Sequence, residues 1–213
     1  MLQHNRSFGI AGLLGVLTLG VSFAINQGPP RGASVAELHA FATANFRHVM
    51  VGGYLQAVGP ALLAIFVLGV TSWLPSQERL LSSATLFGML ILMFVNLLEV
   101  VCYFAALYIS PDQMALMGLH LIGAVQHLYF IVAAPALFLA FGPALTRLGF
   151  PVLGWSAVGL GVVFALLGCL TILSQTLPDR VTLLGALQAI WWFVAALRIA
   201  LLKQPAETRA ANG

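Results

Sequence analysis

The chain has 213 residues, of which 61% are hydrophobic and only 7% charged, with a formal charge of +3 and a mean hydropathy of +1.00. An ordinary soluble domain carries roughly 25% charged residues, so this composition excludes a water-soluble globule of this size. The few basic residues are scattered and form no block with interleaved aromatics, which argues against a nucleic-acid partner.

Apolar runs recur along the whole length, and a run of about 18 residues or more crosses a hydrocarbon layer about 30 Å thick as a helix. The sequence therefore predicts an all-α, polytopic membrane helix bundle, a single membrane domain over 1–213 with the lipid bilayer as its first partner. Six spans are expected, at about 8–25, 46–73, 80–109, 113–141, 152–173 and 181–202. The first, FGIAGLLGVLTLGVSFAI, resembles a signal peptide in its flank, His4 and Arg6, and in its Ser22-Phe23-Ala24 triplet. Its apolar run exceeds the roughly 7–15 residues of a cleaved signal, so a retained helix is expected.

After the polar NQGPPRGAS, Ser34 and Glu37 have capping-box spacing and start a helix ahead of the second span. That span carries Asn45, His48, Gly52, Gln56 and Gly59 on one narrow face, and Pro60 deprives the carbonyl of Gln56 of its usual helical donor. Ser110, Pro111, Asp112 and Gln113 end the third span and cap the fourth. Pro135 is expected to kink the fourth span. In the fifth span Ala157, Gly161, Ala165 and Cys169 form a small-residue stripe suited to close helix packing. Cys102 and Cys169 lack CxxC spacing and read as small hydrophobes.

Counting Lys and Arg by loop sets the orientation. Arg6, Arg79, Arg147, Arg198, Lys203 and Arg209 fall on one side and Arg31, Arg47 and Arg180 on the other, which predicts both termini in the cytoplasm.

One residue breaks the apolar pattern in the third span: Glu99, within VNLLEVVCYF. With a tight turn between 111 and 112, residues of spans three and four whose numbers sum to about 223 lie level. Tyr103 then matches His120, Asn96 matches His127, and Glu99 lies between the two layers, with Asn96, Glu99 and Tyr103 on one face. At ~1.5 Å per residue Glu99 lies roughly 16–19 Å below the outer boundary. An ionised carboxylate facing lipid there costs on the order of 2.5–3.5 kcal/mol or more. Glu99 must face protein, either protonated or ionised beside a protonated histidine.

Glu99, His120, His127, Asn96 and Tyr103 are thus the candidate ligand- or proton-handling group. His48, Gln56, Gln188, Trp191 and Trp192 are the candidate pocket wall or access route, since Gln56, Gln188 and the tryptophan pair fall at comparable depth. Asn96, Gln56 and Gln188 also suit plain interhelical hydrogen bonding, and Arg47 with His48 suits an interfacial anchor. No cofactor or metal is indicated: the histidines lack the matching depth on two helices that haem needs, and HExxH, GxSxG and Walker A are missing. The only lysine, Lys203, is at the membrane edge, which excludes a covalent retinal.

The stretches ATANFRHVMVGGYLQAVGPALLAIFVLGV (42–70) and LHLIGAVQHLYFIVAAPALFLAFGPALTRLGFPVLGWSAVGLG (119–161) resemble small six-span bacterial integral membrane proteins grouped under a domain of unknown function. The likeness lies in span rhythm, the entry to span two, a histidine in span four and the Gly-Phe-Pro-x-Leu-Gly turn into span five. It implies a bacterial inner-membrane location and brings no activity with it. Three function classes follow. One is a binder of a small lipophilic ligand or a proton-linked carrier built on Glu99. Another is an accessory or scaffolding subunit with a membrane-protein partner. The last is a membrane-embedded enzyme acting on a lipid or isoprenoid-like substrate, with Glu99 as general acid or base.

Overall fold

The computed structural model describes residues 5–26, 34–108, 121, 124–174 and 180–202. These form six helices: α1 (Asn5–Ile25), α2 (Val35–Thr71), α3 (Arg79–Tyr108), α4 (Ala124–Arg147), α5 (Pro151–Ser174) and α6 (Arg180–Ala200). All six contain a stretch long and apolar enough to cross a membrane, and no strand occurs among the described residues. Helices consecutive in the chain are neighbours, and α6 returns to pack against α1, so the six form a ring. The tightest pairings are α1 with α2 and α4 with α5, whereas α5 and α6 touch only lightly.

Glycine explains the α1–α2 pairing. A Cβ added to Gly15 would lie 2.9 Å from the carbonyl oxygen of Gly59, and one added to Gly59 would lie 2.5 Å from Leu19. Further along, Ser22 Oγ donates to the carbonyl of Gly52 at 2.7 Å. Gly9 and Gly12 extend the seam to Ala200 and Ala196 of α6, which sets the start of α1 and the end of α6 at one end of the bundle. The α4–α5 pair uses the same device, with Gly142 against Gly154 and Gly168 against Ile131. Of the small-residue stripe expected on α5, Ala157 and Gly161 are buried as anticipated, while Cys169 is exposed and Gly168 takes the contact in its place.

The helix starts follow local chemistry. Ser34 caps α2 with both halves of a capping box: Glu37 N–H donates to Ser34 Oγ at 3.4 Å, and Ser34 N–H donates to Glu37 Oε2 at 2.7 Å. At 37 residues α2 is the longest described helix and runs unbroken through Pro60. Its first turns carry exposed Ala36, Glu37, Ala40, Thr43, Ala44, Phe46, Arg47 and His48. Between α2 and α3 the chain makes a single 3-10 turn, Ser76–Glu78. Glu78 Oε1 accepts from Arg147 Nε at 3.2 Å, tying this connector to the end of α4.

Two readings of span four need correction. The helix continues to Arg147 rather than ending near 141, because Pro143 sits on the exposed face, where the hydrogen bond it omits disturbs no packed neighbour. The true stop is Gly149, whose φ of 85° closes the helix. Phe150 N–H then donates to the Leu145 carbonyl at 2.9 Å in a Schellman arrangement, and Pro151 opens α5. Pro135, expected only to kink the span, follows a π-helical turn over Tyr129–Ala133, in which Ala134 N–H reaches back to the Tyr129 carbonyl. The cap expected at Ser110–Gln113 and the turn between 111 and 112 lie outside the described residues.

The bundle interior is graded along its axis. Toward the end holding the α2–α3 and α4–α5 connectors, it is filled by aromatic rings from α2, α4, α5 and α6. Phe66 meets Phe141 at 6.3 Å and Trp192 at 6.1 Å between ring centroids, and Trp192 stacks on Phe141 at 5.9 Å. Phe138 and Phe164 are parallel at 6.2 Å. Toward the opposite end the interior becomes polar.

Two outcomes test this account. Gly59→Leu forces the α1–α2 seam apart and should lower stability by about 1–3 kcal/mol in detergent melting, whereas Gly159→Ala, at an exposed position with open space, should be neutral or stabilising. The Ser34 backbone and side-chain hydrogen bonds hold the Glu37 carboxyl below its ordinary range. A lowered folded-state value means that the cap's contribution is present above the unfolded value and lost as pH falls through the lowered one. Hydrogen exchange of the first-turn amides of α2 should quicken over that acid range, and Glu37→Gln should remove the pH dependence.

Candidate functional site

The polar end of the interior is centred on Glu99. Gln56 of α2 donates from Nε2 to Glu99 Oε2 at 2.8 Å, and Gln126 of α4 donates from Nε2 to Glu99 Oε1 at 3.2 Å. Each carboxyl oxygen therefore accepts from a neutral amide on a different neighbouring helix. Gln56 is 1% exposed, and Glu99 itself is partly buried. Helix geometry makes this meeting possible. Gln56 lies several turns back from the end of α2 at Thr71, Glu99 several turns on from the start of α3 at Arg79, and the connector between the two helices is short.

The register of α3 against α4 is close to the one expected. Glu99 and Gln126 sum to 225, as do Gly88 and Leu137, which approach so closely that a Cβ on Gly88 would lie 2.7 Å from Leu137. The expected sum is 223. Glu99 does face protein, and its described partners are amides. His120 lies outside the described residues, and His127 is partly buried beside Gln126 in sequence, about 100° round the helix from it.

The other candidates separate. Asn96 is buried and donates to its own helix, to the Leu92 carbonyl at 2.8 Å. Tyr103, one turn beyond Glu99, packs against the hydrophobic core. His48 is exposed two turns away from Gln56, nearer the start of α2. Gln188 is buried and pairs with Tyr129 of α4, whose hydroxyl donates to Gln188 Oε1 at 2.8 Å. Trp191 Nε1 donates to Ser156 Oγ at 2.9 Å, joining α6 to α5. Trp192 is 2% exposed, its indole N–H has no hydrogen-bond partner among the described residues, and its ring lies against Phe66, Phe138 and Phe141. The two tryptophans thus belong to the aromatic packing.

Gln126 and Tyr129 were missed by the sequence reading. Both stand within GAVQHLYF, three residues apart and so on one helical face, and the level opposite Glu99 falls at 124, nearer to Gln126 than to His127 or His120. The histidines drew attention because of their chemistry. Cys102 and Cys169 are both free thiols, and no group of three His, Cys, Asp or Glu among the described residues is placed to hold a metal ion.

Chemically, the cluster suits a group with two protonation states. An ionised carboxyl only accepts hydrogen bonds, and two amide N–H groups satisfy it. A protonated one presents an O–H donor, which needs an acceptor. A glutamine amide supplies it by half a turn that exchanges its NH2 for its carbonyl oxygen. Both states are therefore satisfiable without moving a helix far, which a lysine or arginine partner would not permit.

Removing one amide should leave a carboxyl oxygen without its donor. Gln56→Leu is expected to destabilise by about 1–3 kcal/mol, and Gln56→Leu with Glu99→Leu by clearly less than the sum of the two single changes. A thermal-denaturation double-mutant cycle measures that coupling, and strict additivity would count against the clasp. Comparison with family models, curated proteins and solved structures gives no match to this chain.

Proposed function

We propose that the protein is a multi-pass protein of the bacterial inner membrane that binds a proton at Glu99 and couples it to binding or passage of a small lipophilic ligand. The single observation that carries this reading is the carboxyl of Glu99 held inside the bundle by two neutral amides. Burying a carboxyl costs several kcal/mol, more than interhelical hydrogen bonds return, and the expense suits a group kept for its proton. The amides can serve either protonation state. The bacterial inner-membrane part of the proposal rests on the span rhythm and turn residues read in the sequence, and no family model matches the chain. The lipid bilayer and the small ligand are the partners proposed, with no nucleic acid among them.

Both termini are assigned to the cytoplasm. Among the described residues, exposed Arg6, Arg79, Arg147 and Arg198 share the end with the short connectors, and Arg47 is at the other. That asymmetry follows the positive-inside rule. Glu99 then lies nearer the outer face, and the aromatic plug closes the cytoplasmic half.

A second reading, an accessory subunit with a membrane-protein partner, is favoured by that same plug. Rings from four helices fill the space where a through-going passage would run.

Infrared difference spectra distinguish the two. Proton binding at Glu99 should appear as a carboxyl band that changes between about pH 5 and pH 9 and vanishes in Glu99→Gln. If no carboxyl change occurs and Glu99→Gln alters only the melting temperature, the proton reading fails and the accessory reading stands.

A further inference from the structure

Resting on the proton reading, we propose that Tyr129 and Gln188 are positioning residues of the Glu99 site, and that the π-helical turn opening at Tyr129 carries a change at Glu99 across the bundle to α6. Gln126 and Tyr129 are one turn apart on the same face of α4, yet they bond in opposite directions, Gln126 to α3 and Tyr129 to α6. Helix α4 is thus the common member of two polar links that together join α2, α3, α4 and α6.

The segment between these links and the aromatic core is built to shift. Over Tyr129–Ala133 the backbone widens into a π turn. Such turns are rare, are bonded less favourably than the α-helix and are associated with function. Pro135 follows at once and supplies no N–H to the turn before it, so the bonding that would lock one register is thinned. Beyond it, Leu137, Phe138 and Phe141 are fully buried. A movement of the preceding turn is therefore taken up at the π turn and passed sideways through the Tyr129–Gln188 bond.

The two donors to Glu99 are unequal. Gln56 sits at 2.8 Å and Gln126 at 3.2 Å, so when a proton arrives, Gln126 is the partner that turns or lets go. Tyr129, one turn on at the opening of the π turn, moves with it.

Other titratable groups must be separated from Glu99. On α2 these are exposed His48 and Tyr54; on α3, Cys102 and Tyr103; on α4, His127; on α5, exposed Cys169; and on α6, Arg198 at the far end.

The test uses the full chain in lipid with isotope-labelled tyrosine, followed by infrared difference spectroscopy across the Glu99 titration. The phenol C–O band of Tyr129, identified among four tyrosines by its loss in Tyr129→Phe, should shift in step with the Glu99 carboxyl band. The shift should disappear in Glu99→Gln and persist in His127→Gln. A tyrosine band that stays constant while the carboxyl titrates overturns the coupling and leaves the proton reading intact. A shift that survives Glu99→Gln, or that His127→Gln abolishes, overturns it as well. No carboxyl titration at all removes both. In the wild type alone, phenol C–O bands that all stay constant while the carboxyl titrates already overturn the coupling, and that outcome needs no variant to fold.

Discussion

A carboxyl group inside an apolar bundle needs partners on every side from which water has been removed, and the arrangement of α2, α3 and α4 meets that need. Glu99 projects from the middle helix of the three, and each neighbour contributes one glutamine amide to one of its oxygens. The requirement constrains more than the site. Gln56 and Gln126 reach the carboxyl only if α2 and α4 flank α3 in one register, so the same bonds that satisfy the acid also oppose sliding of three helices.

Elsewhere the bundle is held by shape. The α1–α2 and α4–α5 seams bring backbones together through glycine, where dispersion between close-packed atoms replaces the hydrophobic drive that lipid does not supply. Between these two rigid pairs the aromatic rings of Phe66, Phe138, Phe141 and Trp192 fill the core at one end. The result is a bundle with a dry, tightly packed half and a polar half. Among the described residues, the buried indole N–H of Trp192 lacks an acceptor, and it lies in the dry half, where its ring meets Phe66 nearly edge to face.

Much of this was readable in the residues, and the misses have physical causes. Long apolar runs locate spans well because length and composition alone decide whether a helix can cross a membrane. The capping box at Ser34 and the level of Gln56 with Glu99 follow from spacing, and both are present. The end of α4 was placed near 141, six residues early, and only the bundle reveals that Pro143 points away from packed neighbours so that the helix runs on to Arg147. Gln126 was overlooked in favour of adjacent histidines, since residue chemistry was weighed above level. The π turn has no sequence signature to find. Trp191 and Trp192 were expected level with Gln56, but their rings meet Phe66, Phe138 and Phe141 of α2 and α4, remote in the chain, and no local pattern encodes such a meeting.

The glycine seam also bears on how the molecule is made. Its two sides belong to α1 and α2, so that hairpin is complete in composition before α3 has emerged from the ribosome. Glu99 of α3 is therefore made after the helix that carries Gln56 and before the one that carries Gln126. In that order the acid always has one of its two amide donors ahead of it in the chain.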